Sequence, residues 1–192
     1  MPVGESMPGP IKLPLIVVSG ISGSGKSFLV ASAAHSVSFQ RIPSVTTRLP
    51  REGELDGIDK IFVDEPEFNK QLLTGNLICV AENFGRSYAH DRRLIESVKS
   101  PAILELATEA AAEFSHAFPQ SIFVRIEPTS RHLAVAAVQA RASDGTAVAE
   151  RQADAGCALP AVVDWVVFDN HFDAESVSRF GRMLLKLGCV AR

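Results

Sequence analysis

Apolar, mostly branched residues gather into six short runs along this chain, at 13–19 ("LPLIVVS"), 60–63 ("KIFV"), 77–81 ("LICVA"), 102–106 ("AILEL"), 121–126 ("SIFVRI") and 164–169 ("DWVVFD"). Runs of that length, without the 3.6-residue period of a helix face, predict buried strands. Between them the pattern turns helical, at 26–37, 64–73, about 91–98, 107–117, 129–141 and about 172–187. The helix at 64–73 carries its own start signal: Asp64 is placed to cap it, Glu67 stands three residues on as in a capping box, and Pro66 is harmless in a first turn. Strands alternating with helices predict an α/β fold, a parallel sheet with helices on both faces. Two segments break the rhythm. Residues 44–63 read as an extended loop with a turn at Asp56-Gly57, and 141–158 are polar, alanine-rich and weakly patterned. Both are candidate insertions that close over a ligand.

Composition narrows the classes. With 192 residues the chain supports one domain carrying one or two small insertions. A net charge of −3 argues against bulk attraction to nucleic acid or to an anionic membrane, so any anion site must be local. No apolar run approaches the roughly 20 residues of a membrane span, and residues 1–10, rich in Pro and Gly, are expected to be a flexible N-terminal tail. Cys79, Cys157 and Cys189 are odd in number and show no paired spacing, which points to reduced thiols and a cytoplasmic protein. The five histidines are scattered and form no ligand set.

The first strand runs straight into "SGISGSGKS". Gly20, Gly25, Lys26 and Ser27 satisfy the G-x-x-x-x-G-K-(S/T) phosphate-loop pattern, with Ser22, Gly23 and Ser24 supplying backbone between them. Strand before and helix after are the context the pattern needs, because the curled backbone and the helix N-terminus then present N–H groups to phosphate oxygens. Lys26 is placed to reach the outer phosphates and the Ser27 hydroxyl to hold Mg²⁺, so ATP and Mg²⁺ are the expected ligands. No guanine-reading N-K-x-D of a G-protein switch is present.

A second anion grip lies at "SVTTRLPREGELDGIDK", residues 44–60. Arg48 and Arg51 stand three apart on a segment kept extended by Val45, Thr46, Thr47 and Pro50. The planar fork of guanidinium suits a phosphate, although nearby Glu52, Glu54, Asp56 and Asp59 offer these arginines intramolecular partners as well.

In order and spacing, the phosphate loop, "SVTTRLPREGELDGID", "FVDEPEF" and "GNLICVAENFGRSYA" resemble the guanylate kinase family, whose pattern is roughly S-V-T-T-R-x-P-R-x-G-E-x-x-G-x-D-Y-x-F-V, then a strand ending in glutamate and a Y-Y-G turn. The resemblance is specific over residues 15 to about 90. It implies a P-loop core (11–39, 100–130 and 159–192), a small acceptor-binding insertion (40–99) and a short lid (131–158). It also implies that Ser44, Arg48, Arg51 and Tyr88 hold the acceptor's phosphate, and that lid arginines neutralise the group in transit. Arg141 matches one lid arginine and Arg151 lies within one residue of another, whereas Ala137 stands where a third is expected.

Several positions depart from the family pattern. Lys60 replaces the tyrosine before the F-V strand and offers a charge to phosphate instead of a hydroxyl. Cys79 falls where the family's glutamate reads guanine, and a thiol cannot accept two N–H bonds worth roughly 1.5–3 kcal/mol each. His90 takes the place of a small hydroxyl residue, and Glu105 retains one of two carboxylates after the next strand, placed to assist at Mg²⁺ or the base. The expected activity is therefore ATP-dependent phosphorylation of a phosphorylated small molecule, GMP or a related one. A sugar-phosphate kinase of the ribose 1,5-bisphosphate type and a non-catalytic guanylate-kinase-like binding module remain as alternatives.

Overall fold

The computed structural model describes residues 14–83, 85–139 and 159–190. All of the proposed N-terminal tail and most of the proposed lid, with Arg141 and Arg151, lie outside them.

The central strand, β1 (Leu15–Ser19), is buried at every position. Leu15 and Val17 face one apolar cluster with Leu104, Phe114 and Phe123, whereas Ile16 and Val18 face another with Ile103, Val124 and Phe180. A strand covered on both faces shows no polar alternation, which is why its sequence is a continuous apolar run. β1 pairs in parallel with β7 (Ala102–Glu105) and β8 (Ile122–Pro128). Beyond them lie β2 (Gln40–Ile42) and β9 (Trp165–Asn170), giving the order β2-β7-β1-β8-β9, all parallel.

Helix α1 (Lys26–Ser36) covers one face through Leu29, Val30 and Ala33 and packs against the last helix, Ala174–Val190. The opposite face is covered by a 3-10 turn (Thr108–Ala110) and the helix Ala111–Ala117, a split that the helical pattern at 107–117 did not distinguish.

A second, four-stranded sheet has the order β4-β3-β6-β5. It comprises β3 (Ser44–Thr46), β4 (Lys60–Phe62), β5 (Leu77–Asn83) and β6 (Arg86–Asp91). Helix α2 (Glu65–Leu73) packs on it through Phe68, in a cluster with Val45, Leu77 and Ala89. Asp64 caps α2 by accepting from the Glu67 N–H at 2.8 Å. The reciprocal half of a capping box is missing, because the Glu67 carboxylate turns to Lys70 and Gln71. The short helix α3 (Arg92–Glu96) leads back to the first sheet. There α4 (Ala111–Ala117) precedes β8, α5 (Arg131–Gln139) follows it, and α6 (Ala174–Val190) closes the described chain.

The structure revises two expectations and adds a strand. Residues 40–42, grouped with the insertion by sequence, form an edge strand of the parallel sheet. The segment 44–63 is bounded by β3 and β4, which pair in parallel, and only the stretch between them is loop; Gly57 turns there with φ 73°. Polar "RSYAHD" is strand β6, held by antiparallel pairing on both sides rather than by an apolar pattern.

Phe180 is fully buried between α1, the sheet and Phe168, whose ring centroid lies 5.1 Å away. Phe180→Ala is expected to lower unfolding free energy by about 3–5 kcal/mol in urea titration.

Candidate active site

The phosphate loop leaves the carboxyl end of β1, where the strand order reverses between β7 and β8, the usual crevice for ligands in such sheets. Two of its glycines are dictated by neighbours. A Cβ on Gly23 (φ 80°) would sit 2.2 Å from the Ala134 carbonyl oxygen, and one on Gly25 (φ 88°) would sit 2.4 Å from Asn170 Nδ2. Buried Asn170 is the loop's seat: its amide donates to the Ser24 carbonyl at 2.8 Å and accepts from the Phe172 N–H at 3.0 Å. Lys26 Nζ folds over the loop and donates to the carbonyls of Gly20 and of Ile21, the latter at 2.8 Å. These are neutral acceptors, against which a phosphate makes a stronger charge-assisted bond.

Ser27 opens α1, and its Oγ donates to Glu105 Oε2 at 2.7 Å. Glu105 is the last residue of β7, brought alongside by its register with Val18. A hydroxyl and a carboxylate oxygen at that separation are hard donors of the kind a small divalent cation takes with phosphate oxygens, so the residues present fit Mg²⁺. Burial opposes ionisation of Glu105, but Lys60, Ser27, Arg41 and Lys26 together outweigh it and hold its pKa below the ordinary carboxylate value.

One cleft continues from the loop to the second sheet. Gly20, Ser22, Lys26 and Glu105 line its near end, and Ser44, Lys60, Tyr88 and Cys79 line the rest. Lys60 Nζ donates to Ser44 Oγ at 3.0 Å. Burial depresses the pKa of its ammonium, partly offset by Glu105, a state that an arriving anion relieves. Gly23 and Gly25 face a separate hollow with Phe28, Asn170 and Phe172, while Ser24 is buried with its Oγ unpartnered.

The arginines of the acceptor segment stand differently. Arg48 is not among the residues lining that cleft; it makes a bidentate pair with Glu54, both contacts 2.6 Å, and lies over the Phe62 ring at 5.3 Å. Tyr88, which does line the cleft, lies near enough to act on the Arg48 charge. The Arg51 N–H donates to Glu54 as well, at 2.8 Å. Burial pushes the Glu54 pKa up, but these bonds overcome it and hold it at about 2.

Cys79 sits at an irregularity in the β5–β6 pairing with φ 53°. Its N–H donates to Glu113 Oε1 at 2.9 Å. Burial, reinforced by Glu113, pushes its thiol up to about 12, so it stays protonated at neutral pH. His90 follows Tyr88 on the same face of β6; burial and nearby Lys60 push its pKa down to about 4, so the ring is neutral, and its Nδ1 finds no partner.

Three residues outside the sequence motifs join the site. Arg41 bridges Asp59 and Glu105, Asn170 seats the loop, and Thr108 bonds Ser19 and Arg125, both at 2.7 Å, beneath it. Only Arg41 carried a visible signal, as a lone cation in the apolar stretch "FQRIP".

A family model described as guanylate kinase matches residues 12–186. The chain belongs to the guanylate kinase family. It is 30% identical over 168 residues to the guanylate kinase of Rubrobacter xylanophilus, covering 85% of each chain. It is 35% identical over 121 residues to that of Bacillus cereus, a match that takes in 60% of this chain and 59% of the relative's length. Among solved structures, guanylate kinase from Anaplasma phagocytophilum superposes with a TM-score of 0.66 at 23% identity, covering 91% of this chain and 86% of that one, which supports the common fold. No helix among the described residues is long and apolar enough to cross a membrane.

The Glu54 shift has a pH consequence. Its folded pKa, about 2, lies below the reference of 4.5, so its contribution to stability is complete above the unfolded value and is lost as pH falls toward 2. The stability difference between wild type and Glu54→Gln should shrink progressively between about pH 5 and pH 2 in chemical denaturation. A difference independent of pH across that range would contradict it.

Proposed function

We propose that this chain transfers the γ-phosphate of ATP to the phosphate of a nucleoside monophosphate, GMP or a related phosphorylated small molecule. One observation carries the proposal: a single cleft is lined by Lys26 and Glu105 at one end, with Ser27 bonded to that carboxylate, and by Ser44, Lys60 and Tyr88 at the other. Membership of the guanylate kinase family and the retained phosphate loop support it. The same loop argues against a binding module without catalysis, which would have no use for Lys26.

In this assignment the backbone of 20–27 and Lys26 bind the ATP phosphates. Ser27 and Glu105 hold Mg²⁺, which when bound neutralises charge on the outer phosphates. Ser44, Lys60 and Tyr88 receive the acceptor's phosphate; the family pattern adds Arg48 and Arg51 to this grip, and assigns Arg141 and Arg151, outside the described residues, to the group in transit. The acceptor oxygen is already anionic at neutral pH, so it attacks without a general base. A bond forms between that oxygen and the γ-phosphorus as the bond to the bridging oxygen breaks, leaving ADP and an acceptor diphosphate. Fewer lid arginines than the family pattern predict slower chemistry. We place the protein in the cytoplasm, where its thiols stay reduced.

The acceptor's identity turns on Cys79. Its protonated thiol cannot replace a carboxylate as a double acceptor for guanine, which favours an acceptor recognised mainly through phosphate.

The test is ADP release from Mg·ATP against GMP, dGMP, AMP, CMP, UMP, ribose 5-phosphate and ribose 1,5-bisphosphate. Turnover of at least one nucleotide is expected, with discrimination of GMP from the others weaker than a glutamate reader gives, by about tenfold or more. Silence with every acceptor, while Mg·ATP still binds, would contradict the proposal and favour the binding module.

A further inference from the structure

Arg41 belongs to none of the motifs that carry the family resemblance, yet it stands at the centre of the site's charge network. It lies on edge strand β2 with a side chain only 15% exposed. One guanidinium nitrogen donates to Asp59 Oδ1 at 2.7 Å and the other to Glu105 Oε1 at 3.2 Å. The two carboxylates belong to different parts of the site, Glu105 to the cleft and Asp59 to the loop between β3 and β4. The second oxygen of Glu105 accepts from Ser27 Oγ at 2.7 Å, at the start of α1. The second oxygen of Asp59 accepts from the Leu55 N–H at 2.9 Å, inside the loop between β3 and β4. A continuous path of four polar contacts therefore runs from the acceptor loop to the phosphate-loop hydroxyl.

The geometry points to Arg41 as a positioning residue that aims Glu105 at the metal-binding hydroxyl of Ser27 and ties that hydroxyl to the acceptor loop through Asp59, an inference that rests on the phosphotransfer assignment above.

The physical case lies in how charges are shared. Three cations act on Glu105, namely Lys60, Arg41 and Lys26. Lys60 has its own place on Ser44 Oγ, where the acceptor's phosphate is to be held. By occupying Oε1, Arg41 leaves Oε2 for Ser27 and leaves the Lys60 ammonium facing Ser44. Without it, Lys60 is the strongest remaining attraction on Glu105, and the carboxylate and the ammonium draw together, away from both tasks. Only a forked, planar cation bridges two carboxylates in this way; an ammonium in its place is a point charge that satisfies one geometry at a time. Partners of this kind behind a metal ligand alter metal affinity by about 10–100-fold when removed.

Calorimetric titration of ATP into wild type, Arg41→Met and Arg41→Lys, each with Mg²⁺ and with chelator, separates this role from a structural one. Arg41→Met should bind metal-free ATP as wild type does and bind Mg·ATP about 10-fold more weakly, with Arg41→Lys recovering part of the loss. Asp59→Asn cuts only the loop end of the path. It should leave Mg·ATP affinity near wild type while weakening GMP, titrated as the acceptor probe, several-fold, and it serves with Arg41→Lys if Arg41→Met fails to fold. Equal loss of metal-free and Mg·ATP binding, or wild-type Mg·ATP affinity in Arg41→Met, would overturn the inference. If no acceptor is turned over by wild type, the phosphotransfer assignment fails while the nucleotide titration still decides the role of Arg41. A wild type that binds ATP under neither condition overturns both.

Discussion

The parallel register between β1 and β7, which sets Val18 opposite Glu105, is the constraint on which the site depends. Successive strand residues point to opposite faces, so a slip of one position would put Leu104 where Glu105 stands and turn the carboxylate away from α1. The register is held by burial on both faces, Ile103 on one side and Leu104 on the other, each fully enclosed. Core packing thus determines that Ser27, which opens the helix after β1, meets a carboxylate from a strand more than seventy residues later. The phosphate loop before Ser27 is fixed from the other side by Asn170 at the end of β9.

Around that pair the structure divides its ions with little to spare. Glu54 absorbs Arg48 and the Arg51 N–H, Asp59 and Glu105 share Arg41, and Lys60 is left with a neutral hydroxyl as its hydrogen-bond partner. An enclosed ammonium with a neutral partner is costly to folding and useful to an anion ligand, since the ligand recovers what burial took. At the far end Cys79 keeps its proton and His90 stays uncharged, with the Glu113 carboxylate on the Cys79 N–H. Phosphate is met by cations at both ends, whereas neither Cys79 nor His90 offers guanine a carboxylate.

Much of this was legible in the sequence because it is local. The phosphate loop needs only consecutive residues between a strand and a helix, and the apolar runs announce strands that are covered on both faces. What stayed hidden depends on pairing across distance. β2 is three residues long with two of them polar, β6 has no apolar pattern, and both exist because neighbouring strands complete their hydrogen bonds. Arg41 reads as an isolated cation until β2 joins β7 and brings it to Glu105. Asn170 reads as the end of a strand until the loop is laid against it. Cys79 was placed in the cleft by family spacing alone, but its left-handed backbone is a product of the pairing irregularity and has no counterpart in composition.

Phosphotransfer in this site requires donor and acceptor phosphates to share one continuous cleft. Calorimetric titration with a bisubstrate, adenosine joined through five phosphates to a second nucleoside, tests it most directly. A single 1:1 site binding far more tightly than ATP is predicted, since one molecule then gains both grips without a second loss of translational freedom. Affinity no better than that of ATP, or two molecules bound per chain, would contradict it.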